Sequence, residues 1–327
     1  MKHVSLLVSA MVLAGVVLAV TARRRPCYDS RRRYIKWVPG CLSVIITTPH
    51  GGHLKPASIP DREAGCYVNG ACVFEHGCGV QDPVKCRAKG KEDRFTAEIA
   101  TNIARNLKRL TGCSPHLVYN QLHRSKLDAN REVNEATLNV QEAMDAYYKF
   151  SAFIRAAQKE ICGPGLLLDL HAQAHPGNRT ELGYGIDTLN SGVFSARHSN
   201  VRALGRRVCG RNRACFEKLV RGHCPNSLGY YLNAEQYRAV PSPGLPTPGD
   251  NPYYADGYNV RTHGSLKGGL VDSILMDIPA EVRSSVGSRR RFAAAVARAV
   301  SRYISDHYSR GPWRHPVRPR RRRYHRH

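Results

Sequence analysis

The chain has 327 residues, and its fifty Lys and Arg stand against twenty-five Asp and Glu, a net charge of +25. Much of that excess lies in terminal runs too poor in apolar residues to bury a core, which leaves roughly 270 residues for a folded body, the size of one large domain rather than two. Beyond the first twenty residues no stretch is apolar enough to cross a bilayer, which excludes a bundle of membrane spans.

At the start, Lys2 and His3 precede an apolar run over residues 4–20, and Val20-Thr21-Ala22 offers small residues for cleavage. These are the parts of a secretory signal peptide, expected over residues 1–22, and they predict a secreted, extracellular chain with no membrane attachment after cleavage. A basic segment follows over 23–36, with Arg23-Arg24-Arg25 and Arg31-Arg32-Arg33, and the chain closes on a basic tail over 310–327. On a secreted protein such ends suit sulfated or otherwise acidic polysaccharides and acidic matrix proteins, and nucleic acid is not an expected partner. The compartment also accounts for eleven cysteines, which mostly pair under oxidising conditions and leave one over. Cys66, Cys72, Cys78 and Cys86 crowd a Gly-rich stretch expected to be a disulfide-stapled loop, because a structural zinc site would want a closely spaced pair that is missing. Cys209, Cys215 and Cys224 form a second group.

The folded body is expected over 37–309. Apolar runs bounded by turn residues predict strands over 42–48, 116–119, 166–170, 182–186 and 271–278. Apolar residues at helical spacing predict three helices. One carries Phe95, Ile99, Ile103 and Leu107, a second Leu138, Met144, Tyr147, Phe150 and Ile154, and a third Phe292, Val296, Val300 and Ile304. Strand and helix alternate, so the expected class is three-layer α/β, a mainly parallel or mixed sheet covered by helices on both faces. Residues 241–259, rich in proline, glycine and tyrosine, predict a surface loop near the site.

Two strands run directly into a histidine. Val44-Ile45-Ile46-Thr47-Thr48-Pro49 ends in His50, and Leu166-Leu167-Leu168-Asp169-Leu170 ends in His171. Sites in open α/β sheets lie beyond the carboxyl ends of the strands. Two histidines delivered there, with the acidic Asp61-Arg62-Glu63 close behind, point to a metal. Asp169 is either a carboxylate orienting a ligand or a strand-end cap. Asn178-Arg179-Thr180 is a glycosylation sequon after a Pro-Gly turn.

Five short motifs occur in register: Thr48-Pro49-His50-Gly51-Gly52, Leu122-His123-Arg124-Ser125-Lys126-Leu127-Asp128-Ala129-Asn130-Arg131, Leu168-Asp169-Leu170-His171, Glu181-Leu182-Gly183-Tyr184-Gly185 and His263-Gly264-Ser265-Leu266-Lys267-Gly268-Gly269. Together, from about His50 to Arg283, they resemble the N-formylglutamate amidohydrolase family, which is related in fold to zinc carboxypeptidases and aspartoacylase. The resemblance implies a zinc ion held by His50, His171 and an acidic residue, for which Glu63 is the choice over Asp61. It implies that Arg131 grips a substrate carboxylate through paired charged hydrogen bonds, that Asn130 adds an amide donor, and that Arg124 takes a second carboxylate or supports a developing oxyanion.

The family's late-strand glutamate, in a pattern like Gln-x-Glu-x-Pro, falls here on Asp277 within Leu275-Met276-Asp277-Ile278-Pro279, with Glu281 as its substitute and Arg283 beyond. A second histidine is replaced by Gln173, and Ala172 stands for a glycine, with His175 nearby to compensate. Two functions are therefore expected of one scaffold. The first is a zinc-dependent hydrolase of linear amides next to a carboxylate, of the N-acyl or N-formyl amino acid type. The second is a weakly active or inactive extracellular protein that binds matrix or polyanions.

Overall fold

A computed structural model describes residues 34–78, 85–186, 189, 194–223 and 226–308. The expected signal peptide, most of the basic segment and the tail over 310–327 lie outside the described residues. In chain order the strands and helices begin with β1 (Ile35–Val38), β2 (Val44–Thr48) and the hairpin β3 (Cys66–Val68) with β4 (Ala71–Val73). Then come α1 (Thr96–Thr111), β5 (His116–Asn120), α2 (Val133–Thr137), α3 (Gln141–Ile161), β6 (Gly165–Ala172) and β7 (Thr180–Gly183). The chain continues through α4 (Arg202–Cys209), α5 (Arg213–Arg221), α6 (Leu228–Ala234), β8 (Ala239–Val240) and α7 (Tyr258–His263). It ends with β9 (Val271–Ile278), α8 (Ala280–Arg283) and α9 (Val286–His307).

Seven strands form one sheet in the order β1-β5-β2-β6-β9-β7-β8. Its centre is parallel, with β2 between β5 and β6, and β6 beside β9. β1 runs antiparallel to β5, and β7 antiparallel to β9, so the sheet is mixed. The central strands are buried along almost their whole length, as expected of near-continuous apolar runs covered on both faces. Alternation divides the core. Ile46, Leu168, Leu170 and Ile274 pack with Ile99 and Ile103 of α1 and with Phe292, Val296 and Val300 of α9. Ile45, Leu167 and Leu275 pack on the opposite face with Phe150 and Ile154 of α3 and Val260 of α7. Phe292 is fully buried in the first layer, and cutting it to alanine would cost about 3–5 kcal/mol.

This connectivity creates the crevice. The chain leaves β2, crosses one face by α1 to reach β5, and returns over the other face by α3 to β6. Right-handed crossovers that leave in opposite directions open a gap at the carboxyl end of β2, beside β6.

Two helix boundaries differ from the sequence expectation. Phe95 is the residue before α1, at φ 70°, and it stays exposed under the Arg289 guanidinium, 3.9 Å from its ring centre. Leu138 does not belong to α3. It ends α2 at φ 45°, buried, and α3 starts three residues later. Phe95 keeps a cationic partner and Leu138 stays buried, while the backbone of each leaves the helix. The strand expected over 182–186 is Thr180–Gly183.

Cys66–Cys78 and Cys72–Cys86 staple the β3–β4 hairpin, Cys41–Cys113 ties the approach to β2 to the exit of α1, and Cys209–Cys215 closes the α4–α5 turn. Cys162 is exposed and unpaired, whereas Cys27 and Cys224 lie outside the described residues. Four disulfides fit an extracellular or otherwise oxidising environment. Among the described residues no helix is long and apolar enough to cross a membrane.

Candidate active site

His50 follows β2 by two residues, and His171 sits near the end of β6. Because the two strands are neighbours, the rings meet edge to face with centroids 4.9 Å apart. The loop before α1 delivers Asp93 to the same point. Its backbone amide donates to the His50 carbonyl (2.9 Å), and its own carbonyl accepts from the Thr96 hydroxyl (2.9 Å) as the helix begins. Asp93 Oδ2 lies 3.1 Å from His50 Nδ1 and 2.9 Å from His171 Nδ1. His50, Asp93 and His171 thus converge as a buried group that can hold a metal ion, their ligand atoms within 4.8 Å of one another.

The far nitrogen of each ring is held by a carboxylate. Asp128 Oδ1 lies 2.6 Å from His50 Nε2, and Asp169 Oδ2 lies 3.0 Å from His171 Nε2. Of the two readings of Asp169, the contact with the His171 ring is the one present. Its carboxylate also accepts from the Thr47 hydroxyl (2.5 Å) and from the side-chain Nδ2 of Asn259 (3.3 Å). Asp128 accepts from Arg124 Nε (2.8 Å) and the Asn130 amide (3.0 Å). Carboxylates behind histidines fix the tautomer and the ring direction, the arrangement metal-ligating imidazoles use.

The electrostatics follow the packing. Burial works to raise the Asp93 carboxyl, but the two histidines against it outweigh that and hold it well below the usual carboxylate range. Asp128 is held low likewise, where His50 and Arg124 overcome burial. Burial alone would depress His171, yet Asp169 and Asp93 raise it well above the ordinary imidazole value. Asp277 goes the other way. It is buried on β9, level with His171 on one side and with Glu181 on the other. Burial, reinforced by Asp93, Glu181 and Asp169 against the opposing His171, pushes its carboxyl up to about 8. A divalent cation placed between Asp93 and the two rings would favour the ionised form of the carboxylates around it. The donor set therefore fits zinc, which takes nitrogen and carboxylate oxygen ligands.

Glu63 is not in this group. The chain over 61–63 is irregular, and Arg62 takes the inward position. Its guanidinium donates to the carbonyls of Glu135, Lys89 and Arg124 and lies 3.9 Å from Asp128. Its neighbours Asp61 and Glu63 are left exposed, and Asp61 is bound to Ser125 (2.6 Å) and Lys126 (3.1 Å). The acidic member beside the histidines is Asp93. No pattern in the sequence singled it out, because the loop before α1 reads as a run of surface charge, Lys91-Glu92-Asp93-Arg94.

The other expected residues divide. Asn130 is buried against the site, its Nδ2 3.3 Å from His171 Nε2 and its Oδ1 accepting from the Asn259 amide (2.8 Å). Arg124 braces Asp128 and comes within 3.9 Å of Asp93. Arg131 is turned onto Glu135 at 3.1 Å, an i,i+4 pair that commits its guanidinium elsewhere. Glu281 is exposed in α8, whereas Arg283 from the same helix donates to the carbonyls of Ile278 (3.2 Å) and Gln173 (2.8 Å) and feels the charges of Asp93 and Asp277. His175 does not join the metal-type group. It pairs with the buried Glu181 (2.9 Å) and stacks near Tyr254, ring centres 4.7 Å apart. Tyr254 belongs to the loop over 241–259, and its amide donates to Glu181 (3.0 Å), so that loop does border the site.

No family model matches the chain, and no curated protein does. Solved structures of similar fold do exist. N-formylglutamate amidohydrolase from Ralstonia eutropha JMP134 is 13% identical, with a TM-score of 0.47, over 83% of this chain and 98% of that one. The chain resembles N-formylglutamate amidohydrolases. A gene product of Agrobacterium tumefaciens gives 12% identity and a TM-score of 0.46 over 84% and 96% of the two chains. An N-acetylmuramyl-L-alanine amidase from Mycobacterium smegmatis gives 11% and 0.36 over 80% and 96%.

Proposed function

We propose that the protein is a secreted, zinc-dependent amidohydrolase acting on an amide next to a carboxylate, of the N-acyl or N-formyl amino acid type. The observation that carries this reading is the convergence of His50, Asp93 and His171, with Asp128 and Asp169 behind the two rings. His50, Asp93 and His171 would hold the metal. Zinc, when bound, supplies a Lewis acid that polarises an amide carbonyl and makes water acidic near neutral pH.

The chain's own residues supply the rest. Asp128 and Asp169 keep the imidazoles oriented. Asp277, buried one strand from His171, would be brought back toward its ionised form by the charge of a bound divalent cation, and as a carboxylate it would take a proton from the attacking water and pass it to the leaving nitrogen. Aspartate is one methylene shorter than the glutamate of the resembled pattern, and a misplacement of about 1 Å costs on the order of a hundredfold in rate. Slow turnover is expected. For the substrate carboxylate, Arg283 replaces Arg131 as the anchor. Its guanidinium is held by carbonyls, not by a carboxylate, and it feels the site's charges, whereas Arg131 is paired with Glu135. Secretion is supported by the amino-terminal pattern and the disulfides. A glycan at Asn178 belongs to the same reading. Asn178 is exposed, but Thr180 of the sequon is buried in β7, so attachment would precede folding.

The test combines metal analysis with turnover. Purified protein is reconstituted with zinc, desalted and assayed for metal, then offered N-formyl and N-acetyl amino acids beside the same compounds with the carboxylate blocked. Stoichiometric zinc and turnover of the free acids only are expected, with both lost in His171→Ala. Absence of bound zinc defeats the site reading. Zinc without turnover in wild type and in Asp277→Glu defeats the enzymatic one.

A further inference from the structure

Away from the crevice, the segment from Phe194 to Phe216 encloses a groove of about 730 Å³, within the range of about 300–1,000 Å³ typical of ligand sites. Five arginines line it, and no carboxylate does. Arg197 comes from the short 3-10 turn Ala196–His198, Arg202 and Arg206 from one face of α4, Arg211 from the α4–α5 turn, and Arg213 from the first position of α5. Arg197, Arg206, Arg211 and Arg213 are exposed and Arg202 is half-buried. None of the five has a carboxylate partner among the described residues. Arg202 does donate to the Leu266 carbonyl (3.3 Å). The nearby Arg221 behaves differently, paired with Glu217 and resting on the Phe194 ring at 4.6 Å. Like charges gathered without counter-charges repel, and the arrangement becomes favourable when an anion enters.

The frame beneath these arginines is stiff. Cys209–Cys215 closes the turn that carries Arg211. The Asn212 side chain accepts from the Cys215 amide (3.0 Å) and caps α5. Gly205 lets α4 lie directly on Phe216, where a Cβ would come within 2.7 Å of the ring. The arginines are therefore presented with little backbone freedom left to lose on binding, which raises affinity. Phe194 and Phe216 are each only 1% exposed, so the groove has no aromatic face on which nucleic-acid bases stack.

We infer that this groove is a binding site for a sulfated polysaccharide, independent of the basic ends of the chain and of the strand-end crevice. Guanidinium groups bind sulfate oxygens as they bind carboxylate and phosphate, through paired N–H donors, and a sulfated chain offers several such groups at fixed spacing. An oxidising compartment, indicated by four disulfides, is where that polymer is met.

The experiment uses the full chain and a heparin-derived octasaccharide, with a desulfated octasaccharide and single-stranded DNA of equal charge as competitors. Arg206→Ser, Arg211→Ser and Arg213→Ser are combined in one variant. Lys108→Ser, Arg290→Ser and Arg291→Ser, exposed on α1 and α9, make a control with the same loss of charge. Thermal melting checks that both variants fold. At about 0.15 M salt the groove variant should lose roughly tenfold in affinity and show a flatter salt dependence, while the control stays within about twofold. Equal losses in the two variants would show diffuse attraction to net charge and overturn the inference. An unchanged groove variant would overturn it too, as would DNA or the desulfated oligosaccharide competing as well as the sulfated one.

Discussion

The crevice at the strand ends buries carboxylates among histidines and arginines, whereas the groove on α4 and α5 gathers arginines without a carboxylate, and the two are stabilised in opposite ways. In the crevice, five carboxylates, Asp93, Asp128, Asp169, Glu181 and Asp277, are buried, and each is near a histidine, an arginine or another acid. A buried charge must be paired or neutralised, so the position of every group there depends on its neighbours. In the groove the arginines stay hydrated, so their charges survive without partners. Removing one residue from the crevice therefore disturbs several others, whereas removing one from the groove mainly changes the local potential.

The largest effect expected is at the metal-type group. His171→Ala and Asp93→Ala should each lose stoichiometric zinc and measurable turnover, read by elemental analysis and by hydrolysis of the best N-acyl amino acid. Glu63→Gln should retain both. Loss of zinc in Glu63→Gln with retention in Asp93→Ala would put the acidic ligand back in the 61–63 segment.

Next comes the proton carrier. Asp277→Asn should lower kcat by about 10²- to 10⁴-fold, because an amide does not accept the proton, and Asp277→Glu should raise it. Glu281→Gln should change kcat less than twofold, in keeping with its exposure and with the small effects typical of such surface substitutions. The reverse pattern would exchange the roles of the two acids.

A smaller change is expected one layer out. Asp128→Asn removes the charge behind His50 and should weaken zinc binding about 10- to 100-fold, measured by chelator competition. Equal zinc affinity in Asp128→Asn and wild type would mean that Arg124 and the Asn130 amide, not the His50 ring, account for that buried carboxylate.

The mildest effect concerns pH and three buried groups outside the metal-type group. Burial depresses His116 and His263 to about 4. The unfolded chain takes up those protons near 6.5, so the stability they contribute is complete above that pH and is lost as pH falls toward 4. Asp272 is raised by burial to about 6. Its contribution has the opposite sign, full below about 3.8 and lost as pH rises through 6, so it offsets part of the loss. Asp277, held near 8, adds a second offset of the same sign as Asp272, so the test is the difference between variants: from pH 6.5 to 4.5 the urea midpoint of Asp272→Asn should drop relative to wild type and that of His263→Gln should rise relative to it. The same pH profile in His263→Gln and wild type would contradict the depressed histidine.

The central strands, the helical period of α1, α3 and α9, and the delivery of His50 and His171 to strand ends are local patterns. Consecutive apolar residues can only be satisfied inside a covered sheet, and the residue after such a strand emerges at its rim, so these were legible in the sequence. The stapling of Cys66, Cys72, Cys78 and Cys86 was legible from crowding, but their pairing depended on which side chains the β3–β4 hairpin brought within reach. Asp93 was not legible, because nothing in Lys91-Glu92-Asp93-Arg94 separates it from a surface charge until the loop before α1 is seen bonded to the backbone of His50. The same holds for Arg131 and Arg283. Both are arginines of ordinary context, and only the tertiary contacts commit one to Glu135 and leave the other at the rim among carbonyls. Charged side chains are long and their partners are distant in sequence, so where they point is decided by the folded neighbours that desolvate or pair them.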